Sequence, residues 1–599
     1  MAYVYGTTGS DILNAADGVT SGDDVVFGGD GNDTIRGLGG WDDLFGDDGR
    51  DTIYGGAGND WIEGGEDSDD LFGGDDNDFL WGEEGDDELY GEDDDDYLDG
   101  GAGADRLDGG DGIDSASYYG SEEGVHVSLS PFLLVGGGNS GGDAEGDILV
   151  DIEHLYGSRY DDELYGNAEN NLLWGMEGND DLIGGAGADQ MDGGEGIDTV
   201  SYQGSAAGVF VSLATGIGEG GDAEGDHLDN IEILIGSAYA DTLSGDDGDN
   251  GLSGLGGENT LYGFGGEDGL WGGEDDDTMY GGDEADVLKG FGGADILDGG
   301  DEADMMWGGT GNDRYYVDDA ADVVTEYADE GIDGVYVWID HYTLGDHVEA
   351  LVLAGPGGLT GTGNDLNNTM QGNDYGNVLN GGAGVDWLSG LGSDDILDGG
   401  TGADTMVGGE GWDIFIVDDA GDVVTEYAGE GLLDMVQTGV SYSLAAGSEV
   451  EVLYADPATA AAINLTGNEF DNFLTGNDGI NVIVGGLGID TLRGNGGGDA
   501  FVWSSVGEVG LASPDVVADY SIAQGDVLHF TNIDADETVA GDQNFTFIST
   551  AGFTAPGQVS WVTNGIDTFL QLNTNADMAA DATIQLNGVL SGDSVLMFL

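Results

Sequence analysis

Gly28-Gly29-Asp30-Gly31-Asn32-Asp33-Thr34-Ile35-Arg36 is one copy of a nine-residue unit, Gly-Gly-x-Gly-x-Asp-x-U-x with U a large aliphatic residue. Around it Asp recurs every nine residues: Asp24, Asp33, Asp42, Asp51, Asp60, Asp69, Asp78, Asp87, Asp96, Asp105 and Asp114. Two residues after each stands an apolar side chain: Val26, Ile35, Leu44, Ile53, Ile62, Leu71, Leu80, Leu89, Leu98, Leu107 and Ala116. Five residues before each, from Asp33 onward, stands a Gly, from Gly28 to Gly109. Eleven consecutive positions in phase do not arise from composition, and self-similarity at a fixed short period is the mark of a solenoid.

The phase breaks and returns four times. The second block runs through Asp162, Asn171, Asp180, Asp189 and Asp198, and the third through Asp241, Asn250, Asn259, Asp268, Asp277, Asp286, Asp295, Asp304 and Asp313. The fourth holds Asn368, Asn377, Asp386, Asp395, Asp404 and Asp413, and the fifth Asn472, Asn481, Asp490 and Asp499. Of these 35 units, 28 carry Asp at the key place and 7 carry Asn. All five Pro and all six His lie outside the blocks, as suits a backbone committed to ladders and positive-φ turns. The resulting layout is an N-terminal cap (1–23), repeat blocks at 24–116, 157–201, 236–316, 363–416 and 467–502, spacers at 117–156, 202–235, 317–362 and 417–466, and a C-terminal module at 503–599.

Charge defines the physical problem. The 599 residues hold 124 Asp plus Glu against 7 Lys plus Arg, a formal net charge of −117. So few cations exclude a nucleic-acid footprint. No run of 18 apolar residues exists, so no transmembrane segment is expected. The first residues lack a basic and apolar leader pattern, so no N-terminal secretory signal is read. The absence of Cys removes disulfides and thiolate chemistry. With 39% hydrophobic residues and 11 Trp, 24 Tyr and 18 Phe, the chain is too apolar for a solvated acidic tail. One buried aliphatic side chain per nine ordered residues offsets too little of the backbone entropy, even before carboxylate repulsion is counted. Something positive must compensate, and a metal ion is the leading candidate.

Eleven units carry the complete six-residue opening, among them Gly184-Gly185-Ala186-Gly187-Ala188-Asp189 and Gly399-Gly400-Thr401-Gly402-Ala403-Asp404. The pattern resembles the RTX (repeats-in-toxin, hemolysin-type) calcium-binding nonapeptides, which here cover just over half of the chain. That resemblance implies an all-β fold, a right-handed parallel β-roll in which six residues turn, three form a strand, and two units complete a coil. It implies calcium between turns 18 residues apart, so that Asp24, Asp42, Asp60 and Asp78 line one edge and Asp33, Asp51, Asp69 and Asp87 the other. All 28 repeat Asp are then candidate ligands, and the blocks would hold on the order of 20 ions. The residue types suit that role, because Asp supplies hard oxygen and Gly permits the left-handed turns that aim carbonyls at an ion. Asp67, Asp76 and Asp94 stand where the second turn Gly is expected and mark weaker units. The Asn units, clustered at block openings, read as capping or metal-poor coils.

The spacers are repeats too. Residues 112–158 parallel 196–237, each with an alternating strand-like run (Val125–Leu129; Val209–Leu213) and Gly-Gly-Asp-Ala-Glu-Gly-Asp at 141–147 and 220–226. A second pair spans Tyr316–Tyr327 and Ile416–Tyr427. They are read as wide coils continuing the solenoid, in preference to extra calcium ligands or partner-binding loops. From about Asp499 Gly thins and strand-like segments follow. This region resembles the β-sandwich-like cap of serralysin-type secreted proteases, which ends in a type I secretion signal; Asp593-Ser594-Val595-Leu596-Met597-Phe598-Leu599 fits that ending loosely. The resemblance implies export by the type I apparatus to the extracellular side, where calcium is abundant. It stops short of a protease: no His-Glu-x-x-His zinc helix and no Gly-x-Ser-x-Gly elbow occurs, so a non-catalytic, structural or surface-associated protein is expected over an unrecognised hydrolase. Phe27, Phe45, Trp81, Tyr54, Phe72, Tyr90, Tyr262, Trp271 and Tyr280 close their units and should face outward as ladders. Such ladders are read as shielding stacks, with cell-surface glycans or envelope as the alternative partner.

Overall fold

The structure, a computed structural model, describes residues 1–130, 138–431, 433–530, 532–540 and 543–589, and the backbone alone at 597–598. The described chain is all-β and parallel in its repeats, and it divides into two compact units: Met1–Asp313 with Ala321–Val324, and Arg314–Ala320 with Thr325–Leu599.

In the first unit the nine-residue period becomes strand pairing at a spacing of 18. Asp43–Asp48 pairs in parallel with Trp61–Glu66, matching Leu44 to Ile62, and Trp61–Glu66 with Phe79–Glu84, matching Ile62 to Leu80. The alternate units form a second sheet, in which Thr52–Ala57 pairs with Asp70–Asp75, and Asp70–Asp75 with Glu88–Asp93. Consecutive units therefore lie in opposite sheets, and their U side chains meet between them. Ile35, Leu44, Ile53, Ile62, Leu71, Leu80, Leu89, Leu98 and Leu107 are wholly buried.

Many strands run longer than the expected three residues. Thr52–Ala57 and Phe79–Glu84 are six residues long, because pairing continues through the first Gly of the next unit and into its second and third positions. The turn proper is correspondingly tighter.

The spacers at 117–156 and 202–235 continue this stacking. Ile148–Val150 pairs with Arg106–Asp111, and His154–Tyr156 with Ser115–Ser117. In the second copy His227–Asp229 pairs with Gln190–Glu195, and an added strand, Ile217–Glu219, runs antiparallel to Phe210–Ser212.

The second unit repeats the pattern with Trp387–Gly392 on Thr405–Glu410 and with Val378–Asn380, Ile396–Asp398 and Ile414–Val417 in register. The C-terminal region departs from parallel stacking: Gln558–Thr563, Thr568–Asn573 and Ala582–Leu586 form antiparallel pairs, joined to the solenoid by Ala582–Leu586 alongside Asp515–Val517. Trp503 is fully buried there, stacked on Phe530 at 5.5 Å and donating to Asp515 Oδ2 at 2.7 Å. In the proposed secretion ending, Asp593 to Leu596 and Leu599 lie outside the described residues.

Candidate metal centres

Many of the Asp turns are built by two left-handed residues. Gly56 and Gly58 have φ of +115° and +116°; a Cβ on Gly58 would lie 2.0 Å from the carbonyl oxygen of Gly40 one coil earlier. Only glycine fits there, and its absence of a side chain lets carbonyl oxygens stack along the roll edge. Asp67, Asp76 and Asp94 nevertheless hold the same backbone at φ of 77°, 76° and 78°, so these coils keep the turn at a conformational cost.

The turn delivers its Asp inward. All 28 repeat Asp are buried, none more than 3% exposed. One carboxylate oxygen is committed to register: Asp33 N–H donates to Asp51 Oδ1 at 2.6 Å, Asp51 to Asp69 at 2.7 Å, Asp69 to Asp87 at 2.7 Å, and Asp78 to Asp96 at 2.7 Å. The expected edge files of Asp 18 residues apart are thus present. The other oxygen has no hydrogen-bond partner in Asp33, Asp42, Asp51, Asp60, Asp69, Asp78, Asp87, Asp96, Asp105 and Asp114. The same holds for Asp180, Asp189, Asp198, Asp268, Asp277, Asp286, Asp295, Asp386, Asp395, Asp404, Asp413, Asp490 and Asp499. A Cβ on Gly55 would fall 2.4 Å from Asp60 Oδ2 and 2.6 Å from Gly73 O, so the orphaned oxygen sits beside a carbonyl of the next coil.

Oxygen facing oxygen without a counter-charge is electrostatically costly. Burial first, then neighbouring carboxylates, push Asp69, Asp78, Asp96 and Asp105 up to about 8, despite the backbone N–H that each accepts. Burial acts likewise on Asp295 and Asp395, also lifted to about 8. A buried acid in this state requires either a proton or a cation.

Two groups of turns escape that requirement. Asp24, Asp162 and Asp241, the first Asp of the first three blocks, have their second oxygen occupied. Thr20 N–H donates to Asp24 Oδ2 at 2.5 Å, and Ser158 and Ser237 donate likewise to Asp162 and Asp241 at 2.5 Å. Most Asn turns are also self-satisfied. Asn472 Oδ1 accepts from Asn468 N–H at 2.9 Å while its amide donates to Val450 O at 2.9 Å; Asn481 repeats this with Asn477 and Ile463. Asn368 and Asn171 follow the same plan, donating to Val348 O and Glu153 O. In these turns the Asn amide is satisfied by hydrogen bonds within the protein.

Sequence reasoning missed the carboxylates that take over the ladder where a block ends. Asp105 N–H donates to Asp147 Oδ1 at 2.8 Å and Asp114 N–H to Glu153 Oε2 at 2.9 Å. Asp189 and Asp198 turn to Asp226 and Glu232, and Asp490 and Asp499 to Asp515 and Asp526. The duplicated Gly-Gly-Asp-Ala-Glu-Gly-Asp was the available signal: its last Asp, Asp147 or Asp226, also accepts from the buried Tyr118 or Tyr202 hydroxyl at 3.1 and 3.0 Å.

The donors gathered at each Asp turn are carboxylate and carbonyl oxygens, a set that fits calcium and offers nothing to a metal preferring nitrogen or sulfur. The model of the RTX calcium-binding nonapeptide repeat matches at 19–53, 45–80, 81–116, 151–182, 165–200, 229–261, 252–279, 271–306, 280–315, 289–324, 362–397, 389–424 and 466–501, more than half of the chain. The chain belongs to this RTX family. Its repeats are calcium-binding repeats, and its fold is the parallel β-solenoid of that family. No curated protein matches the chain.

Proposed function

We propose that this RTX chain is exported, folds outside the cell on binding calcium, and serves there as a structural or surface-associated protein without catalytic activity. The orphaned Asp oxygens carry the reading: more than twenty buried carboxylates each keep one oxygen unpaired, in most of them beside a carbonyl of the next coil. In this reading those Asp hold the ions jointly with turn carbonyls. Calcium supplies the counter-charge, and the turns align the oxygens and exclude water. Export through the type I apparatus rests on the resemblance of the C-terminal module and on the logic of a chain kept unfolded until it meets millimolar calcium. The test is circular dichroism of the purified chain with and without excess chelator, together with a count of bound ions. Sheet signal that persists undiminished in chelator at pH 8, or no calcium uptake, refutes it.

A second reading, a surface adhesin for glycans, draws on the aromatic rows. Trp61 and Trp81 stack at 3.9 Å, flanked by Phe79, and Trp61 and Phe79 remain about two-fifths exposed. Flat exposed rings of this kind suit sugar faces. Saturable glycan binding lost in Trp81→Ala and Trp271→Ala chains supports it; its absence leaves the rows as shielding stacks.

A further inference from the structure

The sequence Val423-Val424-Thr425-Glu426-Tyr427-Ala428 lies in the spacer after the fourth block and also occurs at 323–328, yet it contains no nonapeptide. In the second unit Glu426 is buried, 1% exposed, and converges with Asp413 and Asp434, also buried; each offers a carboxylate oxygen within 4.8 Å of the others. Backbone N–H groups hold one oxygen of each. Gly408 donates to Glu426 Oε1 at 3.0 Å, and Asp413 donates to Asp434 Oδ1 at 3.0 Å. Asp395 donates to Asp413 Oδ1 at 2.8 Å. Glu426 Oε2 and Asp413 Oδ2 are left buried with no hydrogen-bond partner.

Comparison with the preceding coil shows what has changed. A Cβ on Gly390 would meet Asp395 Oδ2 at 2.0 Å and the Gly408 carbonyl at 2.8 Å, whereas one on Gly408 would meet Asp413 Oδ2 at 2.3 Å and Glu426 Oε1 at 2.1 Å. A carboxylate has replaced the neutral carbonyl donor. No Lys or Arg occurs between Arg314 and Arg493 in the sequence to balance it.

We propose that Asp413, Glu426 and Asp434 form a calcium site of their own, distinct from the repeated turns in drawing three side-chain carboxylates, two of them, Glu426 and Asp434, from a spacer. Three ionised carboxylates this close require a cation, and an all-oxygen set of high charge selects a hard divalent ion. The site fastens the spacer to the last coil of its block, so that the roll edge ends on an ion instead of on frayed turns. It rests on the calcium reading above, although the repeated turns do not depend on it.

Hydrogen exchange by mass spectrometry on the full chain, titrated with calcium, tests this in wild type, Glu426→Gln, Asp434→Asn and Asp69→Asn. The amides in the first two variants keep the oxygens that accept from Gly408 and Asp413, so a merely structural role survives them. The site predicts that peptides spanning 423–436 need at least about tenfold more calcium for protection in Glu426→Gln and Asp434→Asn, while peptides spanning 60–80 respond as in wild type. Asp69→Asn shifts only the latter. An unchanged calcium midpoint at 423–436 in both variants overturns the site. So does greater protection there in chelator with an unmoved midpoint, which marks Glu426 as a protonated buried acid. A wild-type chain that ignores calcium at 60–80 as well removes the whole calcium reading; one that responds at 60–80 but not at 423–436 removes this site alone.

Discussion

Asp69 does two jobs with two oxygens: Oδ1 accepts the N–H of Asp51, and Oδ2 stays unpaired. Asp69→Asn keeps the acceptor and removes the charge. In calcium it should weaken binding at its coil by about tenfold, read by calorimetry, because ligand charge sets affinity in oxygen sites. The glycines divide by environment in the same way. Gly58→Ala forces a side chain onto φ of +116° and into the Gly40 carbonyl, costing at least about 1–3 kcal/mol in calcium-saturated unfolding. Gly248→Ala, at an exposed site whose nearest neighbour would be a flexible Asp246 oxygen at 3.3 Å, should stay within about 0.5 kcal/mol. The phased Asp and the glycines of the turn were legible residue by residue. The exemption of Asp24, Asp162 and Asp241 was not, since it depends on Thr20, Ser158 and Ser237 folding back four residues to occupy the second oxygen.

A strand here is too short to stand alone, and its stability comes from the coils on either side. Leu80 is fully buried between Ile62 and Leu98 in register, so Leu80→Ala should cost about 2–5 kcal/mol and loosen the neighbouring coils first, as local loss of exchange protection would record. Outward stacks add less. Phe72 lies 4.8 Å from Tyr54 and 5.0 Å from Tyr90 with nearly parallel rings, worth about 0.5–1.5 kcal/mol per pair beyond burial. The spacers at 117–156 and 202–235 are elements of the same kind. Their strands pair as wide coils, and the Gly142–Ala144 and Gly221–Ala223 turns bring Asp147 and Asp226 to the ladder. Tyr118→Phe removes a buried hydroxyl donor from Asp147, and should destabilise that junction by about 1–3 kcal/mol in thermal unfolding.

For the chain as a whole, metal and protons compete for the same oxygens. Without metal, burial lifts most repeat Asp above the 3.8 of an unfolded chain, Asp69 and Asp78 to about 8, whereas Asp24 is lowered. The folded metal-free state therefore binds more protons than the unfolded state across roughly pH 4–8. Its stability is greatest below that window and falls as pH rises through it. Calcium reverses the trend, because ions must displace those protons and bind more tightly as pH rises. Circular dichroism from pH 5 to 8 should show sheet signal falling in chelator while the calcium midpoint drops; parallel behaviour in both conditions would contradict this coupling. The amino-acid order alone determined the nine-residue unit, its aliphatic file and its phased acids, because each follows from a short period acting between neighbours; the two-unit coil with its 18-residue register and paired acidic edges is what the resemblance to the RTX repeats added. Only the tertiary structure decided which acids are left unpaired and which spacer residues continue the ladder. Those pairings span separations of 42 residues for Asp105 and Asp147 and 21 for Asp413 and Asp434, set by how each spacer folds rather than by any period.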